Sequence, residues 1–171
     1  MKIKRNALIA SAAVAATAMV TSVLPANAAG VDIRIGTVQP MSGAGFAAYG
    51  TGLANAAAFG VKTVSDAMAA SGVAGTCKLV SSDDSVSDAP AVAIEGATKL
   101  VKSDKVNFII GSLTSGASLG IAQSVTIPAG VITIASAASS PALTTVADND
   151  TLFRTYPSDL LQAQALVRSE E

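Results

Sequence analysis

From residue 31 onward, short β-branched runs alternate with segments of helical period, and small-residue loops lie between them. Ile33-Arg34-Ile35-Gly36-Thr37-Val38 alternates with period two and reads as a strand. After a glycine-rich stretch over residues 40–52, Leu53, Ala57, Val61, Val64 and Met68 recur every three or four positions, which predicts a helix ended by Ser71-Gly72 and Gly75. Cys77-Lys78-Leu79-Val80-Ser81-Ser82 is a second strand. A helix follows from an Asp88 cap and Pro90, turning Ala93, Ala97, Leu100 and Val101 inward. Val106-Asn107-Phe108-Ile109-Ile110 and Val131-Ile132-Thr133-Ile134 are nearly continuous apolar strands of the kind covered on both faces. Between them residues 117–126 form a helix that Pro128 and Gly130 stop. A last short strand over residues 152–155 and a helix over 160–171 complete the chain. Alternation of this kind implies an α/β fold, a parallel sheet with helices on both faces.

On such a sheet, ligands bind outside the carboxyl ends of the strands. The loops there span residues 40–52, 83–87, 111–116 and 136–141. The first fails as a dinucleotide fingerprint, because position 48 is Ala where the third glycine would stand. No loop carries a Walker Gly-Lys-Ser/Thr ending or a Gly-x-Ser-x-Gly elbow. Ser112-Leu113-Thr114-Ser115-Gly116 and Ser136-Ala137-Ala138-Ser139-Ser140 are rich in hydroxyls and carry no charge. They suit either an uncharged cradle that binds a carboxylate reversibly or plain turn and cap formation. Asp83-Asp84 reads as loop carboxylates that accept backbone hydrogen bonds rather than as a metal or acid–base pair. Tyr49 stands in the first loop, where its ring either walls a pocket or packs on its own helix, and Tyr156 precedes Pro157 and the last helix.

Composition narrows the chemistry further. The chain has one Cys and no His among 171 residues, so it cannot assemble a zinc site of His and Cys, a Ser-His-Asp triad or an internal disulfide. A net charge of −1 without a basic stripe argues against nucleic acid as partner. No metal or other cofactor is expected. Residues 1–28 have the form of a cleaved secretory signal: Lys2, Lys4 and Arg5, an uncharged Ala-rich run over residues 7–24, Pro25, and Ala26-Asn27-Ala28 at the cleavage point. Removing three positive charges leaves an acidic mature chain, in which Cys77 reads as a small buried hydrophobe on its strand.

The order of these motifs resembles the first lobe of the periplasmic leucine/isoleucine/valine-binding proteins, type I two-lobe receptors of ABC importers. The resemblance rests on Ile33-Arg34-Ile35-Gly36 with Met41-Ser42-Gly43, on Tyr49-Gly50, Asp83-Asp84, Phe108-Ile109-Ile110-Gly111 and Gly130-Val131-Ile132. It continues through Ser139-Ser140-Pro141-Ala142-Leu143-Thr144 and Phe153-Arg154-Thr155, and so covers residues 31–171. It implies that Ser115 binds the ligand α-carboxylate. It also implies that Ala137 and Ser139 supply a carbonyl and a hydroxyl to the α-ammonium and carboxylate, and that Tyr49 lies against the ligand side chain. Ser139 stands where the family more often has Thr, and the disulfide that joins the second and third loops in several members has no cysteines here.

The implied protein is periplasmic, residues 29–171 being a truncated N-terminal lobe, with an amino-acid-like small molecule as ligand and an importer permease as partner. One lobe holds half a site, so weak binding or none is expected of this chain alone. A sensory or regulatory domain of the same fold, taking an amide or aromatic acid, is the second reading. A Ser/Lys hydrolase ranks below both, because Lys62, Lys78, Lys99, Lys102 and Lys105 all lie outside the serine loops.

Overall fold

The computed structural model describes residues 30–84 and 90–169. The predicted signal segment and the Asp88 cap lie outside the described residues. Five strands form one wholly parallel sheet in the order β2-β1-β3-β4-β5. They are β1 (Val31–Gln39), β2 (Gly75–Asp83), β3 (Phe108–Gly111), β4 (Ile132–Ala135) and β5 (Leu152–Arg154). The α/β class and the parallel sheet expected from the sequence are therefore present. The strand order reverses between β1 and β3. The crevice above those two strands is the switch point at which sheets of this class take ligands.

Helix α1 (Ala47–Ala70) packs on β1 and β2, while α2 (Pro90–Lys102) packs on the same strands and on α3 (Ser115–Ile121). Register assigns the faces. Val38 and Ile109 point into one core with Ala93, Ala97, Leu100, Ala117, Ile121 and Val125. A second cluster of Ala122, Ala135, Ala138, Leu143 and Leu152 continues that core beneath β4 and β5. Gly36 sits where a Cβ would come within 2.9 Å of Leu100, so its lack of a side chain admits α2 to the sheet.

Four expectations need correction. Helix α1 starts at Ala47, not Leu53, and therefore takes Tyr49 into its first turn. It buries Gly50, Ala54, Ala57 and Val61, whereas Val64 is exposed and Leu53 and Met68 are half-buried. The cause is Gly50, whose missing side chain lets the helix rest on the Pro40 carbonyl, 2.1 Å from where a Cβ would stand. Helix α3 begins at Ser115 and does not stop before Pro128. A π turn (Ala122–Thr126) and a last turn α4 (Ile127–Ala129) continue it through the proline. The wider turn accommodates a residue without an N–H, and Gly130, in the left-handed conformation at φ 64°, is the true stop. Strand β3 begins at Phe108, because Asn107 meets β1 through its side chain, whose Oδ1 accepts the Arg34 N–H at 2.8 Å. Finally, the 136–141 loop runs into a short helix, α5 (Ala142–Thr145), that periodicity did not reveal. The last helix, α6 (Asp159–Ser169), agrees with expectation but buries none of its residues. Among the described residues no helix is long and apolar enough to cross a membrane, and Cys77 is free and buried in β2.

Candidate functional site

The loops over residues 40–52, 111–116 and 136–141, and Asp83-Asp84 of the fourth, stand at the carboxyl edge of the sheet, because all five strands are parallel. Asp83 ends β2, and its Oδ1 accepts the N–H groups of Met41 at 2.8 Å and Ser42 at 3.2 Å. This is the backbone-accepting role read from the sequence, and it pins the first loop. Gln39, the last residue of β1, is fully buried, and its side chain crosses the end of β3 to donate from Nε2 to Ser136 Oγ at 2.9 Å. Gly111 lets this happen. At φ 136° it turns the chain out of β3 where a Cβ would stand 2.1 Å from the Val38 carbonyl oxygen.

The two hydroxyl loops meet. Thr114 caps α3 by accepting the Ala117 N–H, which places Ser115 in the first helical position. Its Oγ accepts the Ser140 N–H at 3.1 Å. A serine hydroxyl has one proton and two lone pairs, so accepting from Ser140 leaves that proton to be donated outward. Behind the second loop, the Arg154 guanidinium donates to the Ser140 carbonyl at 2.9 Å and to Thr144 Oγ1 at 2.6 Å. The Asp159 N–H reaches the Ser139 carbonyl at 2.9 Å. These bonds use the rear of the loop. Among the described residues the Ser139 hydroxyl and the Ala137 carbonyl carry no hydrogen bond, and both residues are half-buried. The structure thus joins Ser115 directly to the loop that holds Ala137 and Ser139. It does not bring Tyr49 into bonded contact with them: Tyr49 is 67% exposed at the start of α1 on the same edge of the sheet.

Two further residues, Asp84 and Gln39, lie beneath the loops. Asp84 is fully buried and accepts the Ser112 hydroxyl at 2.5 Å. Burial pushes its carboxyl above the usual carboxylate range, the Ser112 hydrogen bond partly opposes this, and the neighbouring Asp83 charge adds to the rise. Gln39 gave no sequence signal, since a polar residue ending a strand looks solvent-facing. Arg154 was visible as part of a motif but not as the clamp on the second loop. No group of three or more His, Cys, Asp or Glu side chains among the described residues is placed to hold a metal. The edge is a set of hydroxyls, N–H groups and carbonyls that can bind and orient a small polar ligand.

The sequence model of the family described as periplasmic binding protein matches residues 32–169. No curated protein sequence matches the chain. Among solved structures, the branched-chain amino acid transporter substrate-binding protein LivJ from Streptococcus pneumoniae, in complex with isoleucine, is 29% identical. The match covers 75% of this chain and 35% of that one, with a TM-score of 0.60. A solute-binding protein of an ABC transporter from Rhodopseudomonas palustris BisB5, in complex with 3,4-dihydroxybenzoic acid, is 28% identical over 74% of this chain and 32% of its own, with a TM-score of 0.61. The leucine-binding protein LivK from Thermotoga maritima is similar in fold, at 24% identity over 78% of this chain and 35% of its own, with a TM-score of 0.61. The chain therefore spans about a third of the length of these solved structures.

Proposed function

Because the chain belongs to the periplasmic binding protein family, we propose that it is the N-terminal lobe, over residues 29–171, of an exported solute-binding protein that delivers a branched-chain or related amino acid to an ABC importer. Residues 1–28 act as its cleaved signal. The chain carries no chemistry: it binds, orients and releases. Ser115 donates its hydroxyl proton to the ligand carboxylate, the Ser139 hydroxyl adds a second donor, and the Ala137 carbonyl accepts from the ammonium. Tyr49 lies against the ligand side chain as the site closes.

The observation that carries this reading is the Ser115–Ser140 bond. It joins two uncharged loops from different strands and leaves the Ser115 hydroxyl proton free to be donated. An uncharged cradle holds a carboxylate by oriented hydrogen bonds without trapping it as a buried ion pair would. That suits a carrier that must release its ligand to a permease.

A second reading has specific support. A relative of nearly the same similarity was solved with 3,4-dihydroxybenzoic acid, which also presents a carboxylate. The Ser115 cradle serves an aromatic acid equally well, and Ala137 then has no ammonium to meet. Calorimetric titration of the signal-free chain with isoleucine, leucine, valine and 3,4-dihydroxybenzoate separates the two. Heat with the aliphatic amino acids at a millimolar Kd, a binding free energy of about −4 kcal/mol, supports the amino-acid reading. Heat with the aromatic acid alone replaces it with the second.

A further inference from the structure

Below the Ser115 loop lie three side chains with no accessible surface: Asp84, Ser112 and Ser118. They are bonded to one another across three elements. The Ser112 hydroxyl donates to Asp84 Oδ2 at 2.5 Å. The Ser112 N–H donates to Ser118 Oγ at 3.2 Å, and the Ser118 hydroxyl donates to the Thr114 carbonyl at 2.8 Å. Asp84 is held in turn by the end of β1, where its N–H reaches the Gln39 carbonyl at 3.0 Å. Its other oxygen, Oδ1, is buried with no hydrogen-bond partner among the described residues.

An acidic group is a poor choice for filling space. Burying a carboxyl with one oxygen bare is unfavourable, and a small apolar residue would avoid that cost. What Asp84 adds is one directed acceptor for Ser112. Ser112 is the first residue beyond β3, and the backbone from Ser112 to Thr114 is fixed at both ends of this knot. That stretch decides where Ser115 begins its helix and whether its Oγ meets the Ser140 N–H.

We propose that Asp84 is a positioning residue for the ligand-binding loop: by accepting the Ser112 hydroxyl it sets, through Ser112 and Ser118, the backbone that aims Ser115. The inference rests on the reading of Ser115 as the carboxylate ligand. The role is that of hydrogen-bond acceptor, so an uncharged acceptor of the same shape performs it.

The test is amide hydrogen exchange by NMR on the full signal-free chain, with isoleucine titration as the second readout. In Asp84→Ala the amides of Ala117, Ser118 and Ser140 exchange about tenfold faster or more, as expected for a buried hydroxyl that loses its partner. The amides of Ile35 and Leu79 in β1 and β2 keep their protection, and isoleucine-induced shifts at Ser115 and Ser140 shrink. Asp84→Asn restores both loop protection and shifts. Ser112→Ala reproduces the local loss, and it carries the test if Asp84→Ala does not fold. Unchanged loop exchange in Asp84→Ala or Ser112→Ala overturns the proposal. So does an equal rise at Ile35 and Leu79, which would mark Asp84 as general support for the fold. The exchange arm needs no ligand. It therefore decides the positioning role whether or not this one lobe, holding half a site, shows isoleucine shifts.

Discussion

On the face of the sheet that carries α2 and α3, Val38, Ile109 and Ala135 are completely buried. On the opposite face α1 covers β1 and β2, while Ile110, Ile132 and Ile134 of β3 and β4 are only half-buried and Phe153 of β5 is 50% exposed. Parallel sheets normally have both faces covered, whereas among the described residues one side of this sheet is closed and the other is bare over three strands. The difference shows from which side the site is held. Ala117, Ser118, Ala122, Ala138 and Leu143 all anchor the hydroxyl loops on the closed side. The cradle is thus packed chiefly from the closed side, and the Gln39–Ser136 bond ties it from the other.

The sharpest way to break this comparison is to cut into each face in turn. Leu100→Ala removes a fully buried side chain from the closed core and is expected to cost about 3 kcal/mol in urea unfolding. Phe153→Ala on the bare face is expected to cost less than about 1 kcal/mol; equal losses would mean that the faces do not differ in energy. Next in size is Gly111→Ala, expected to cost about 2 kcal/mol. It forces a Cβ against the Val38 carbonyl at a backbone angle that disfavours side chains. A loss near zero would show that the turn out of β3 relaxes freely.

A third effect depends on pH. Burial raises the Asp84 pKa above its unfolded value of 3.8, so folding favours its neutral form. Its contribution is fully present below that value and declines as pH rises through the raised native pKa. Thermal melts from pH 4 to pH 7 should therefore show Asp84→Asn gaining stability relative to the unsubstituted chain as pH rises. A gain in the other direction would mean that the carboxylate is the favoured form. The smallest effect concerns α6, where Leu161→Ser on a helix with no buried residue should change stability by less than about 0.5 kcal/mol.

Much of the closed side was legible in the sequence. Ala93, Ala97 and Leu100 recur at helical spacing and are the buried residues of α2. Ile109 and Thr133 lie within apolar runs and are buried on the closed side. Ile110, Ile132 and Ile134 of the same runs are only half-buried, so the double cover those runs suggested is not present among the described residues. The start of α1 was hidden because Gly50 and Gly52 look like loop formers, and the close approach to Pro40 that needs Gly50 depends on a contact between elements. At the site, the two hydroxyl loops could be found by their position after β3 and β4. The bond between Ser115 and Ser140 spans 25 residues and depends on the register of those strands. Asp84 and Gln39 were the least legible. A polar residue at a strand end is usually exposed, and their burial follows from three chain segments converging on one point.

The most direct test of the central claim is a ¹⁵N NMR titration of the signal-free chain with isoleucine, run beside Ser115→Ala. The account predicts saturable shifts at Ser115, Ser139 and Ser140 in the millimolar range, lost in Ser115→Ala while the amides of β1 and β2 keep their positions. Shifts that survive the substitution, or that fall elsewhere on the molecule, would contradict it.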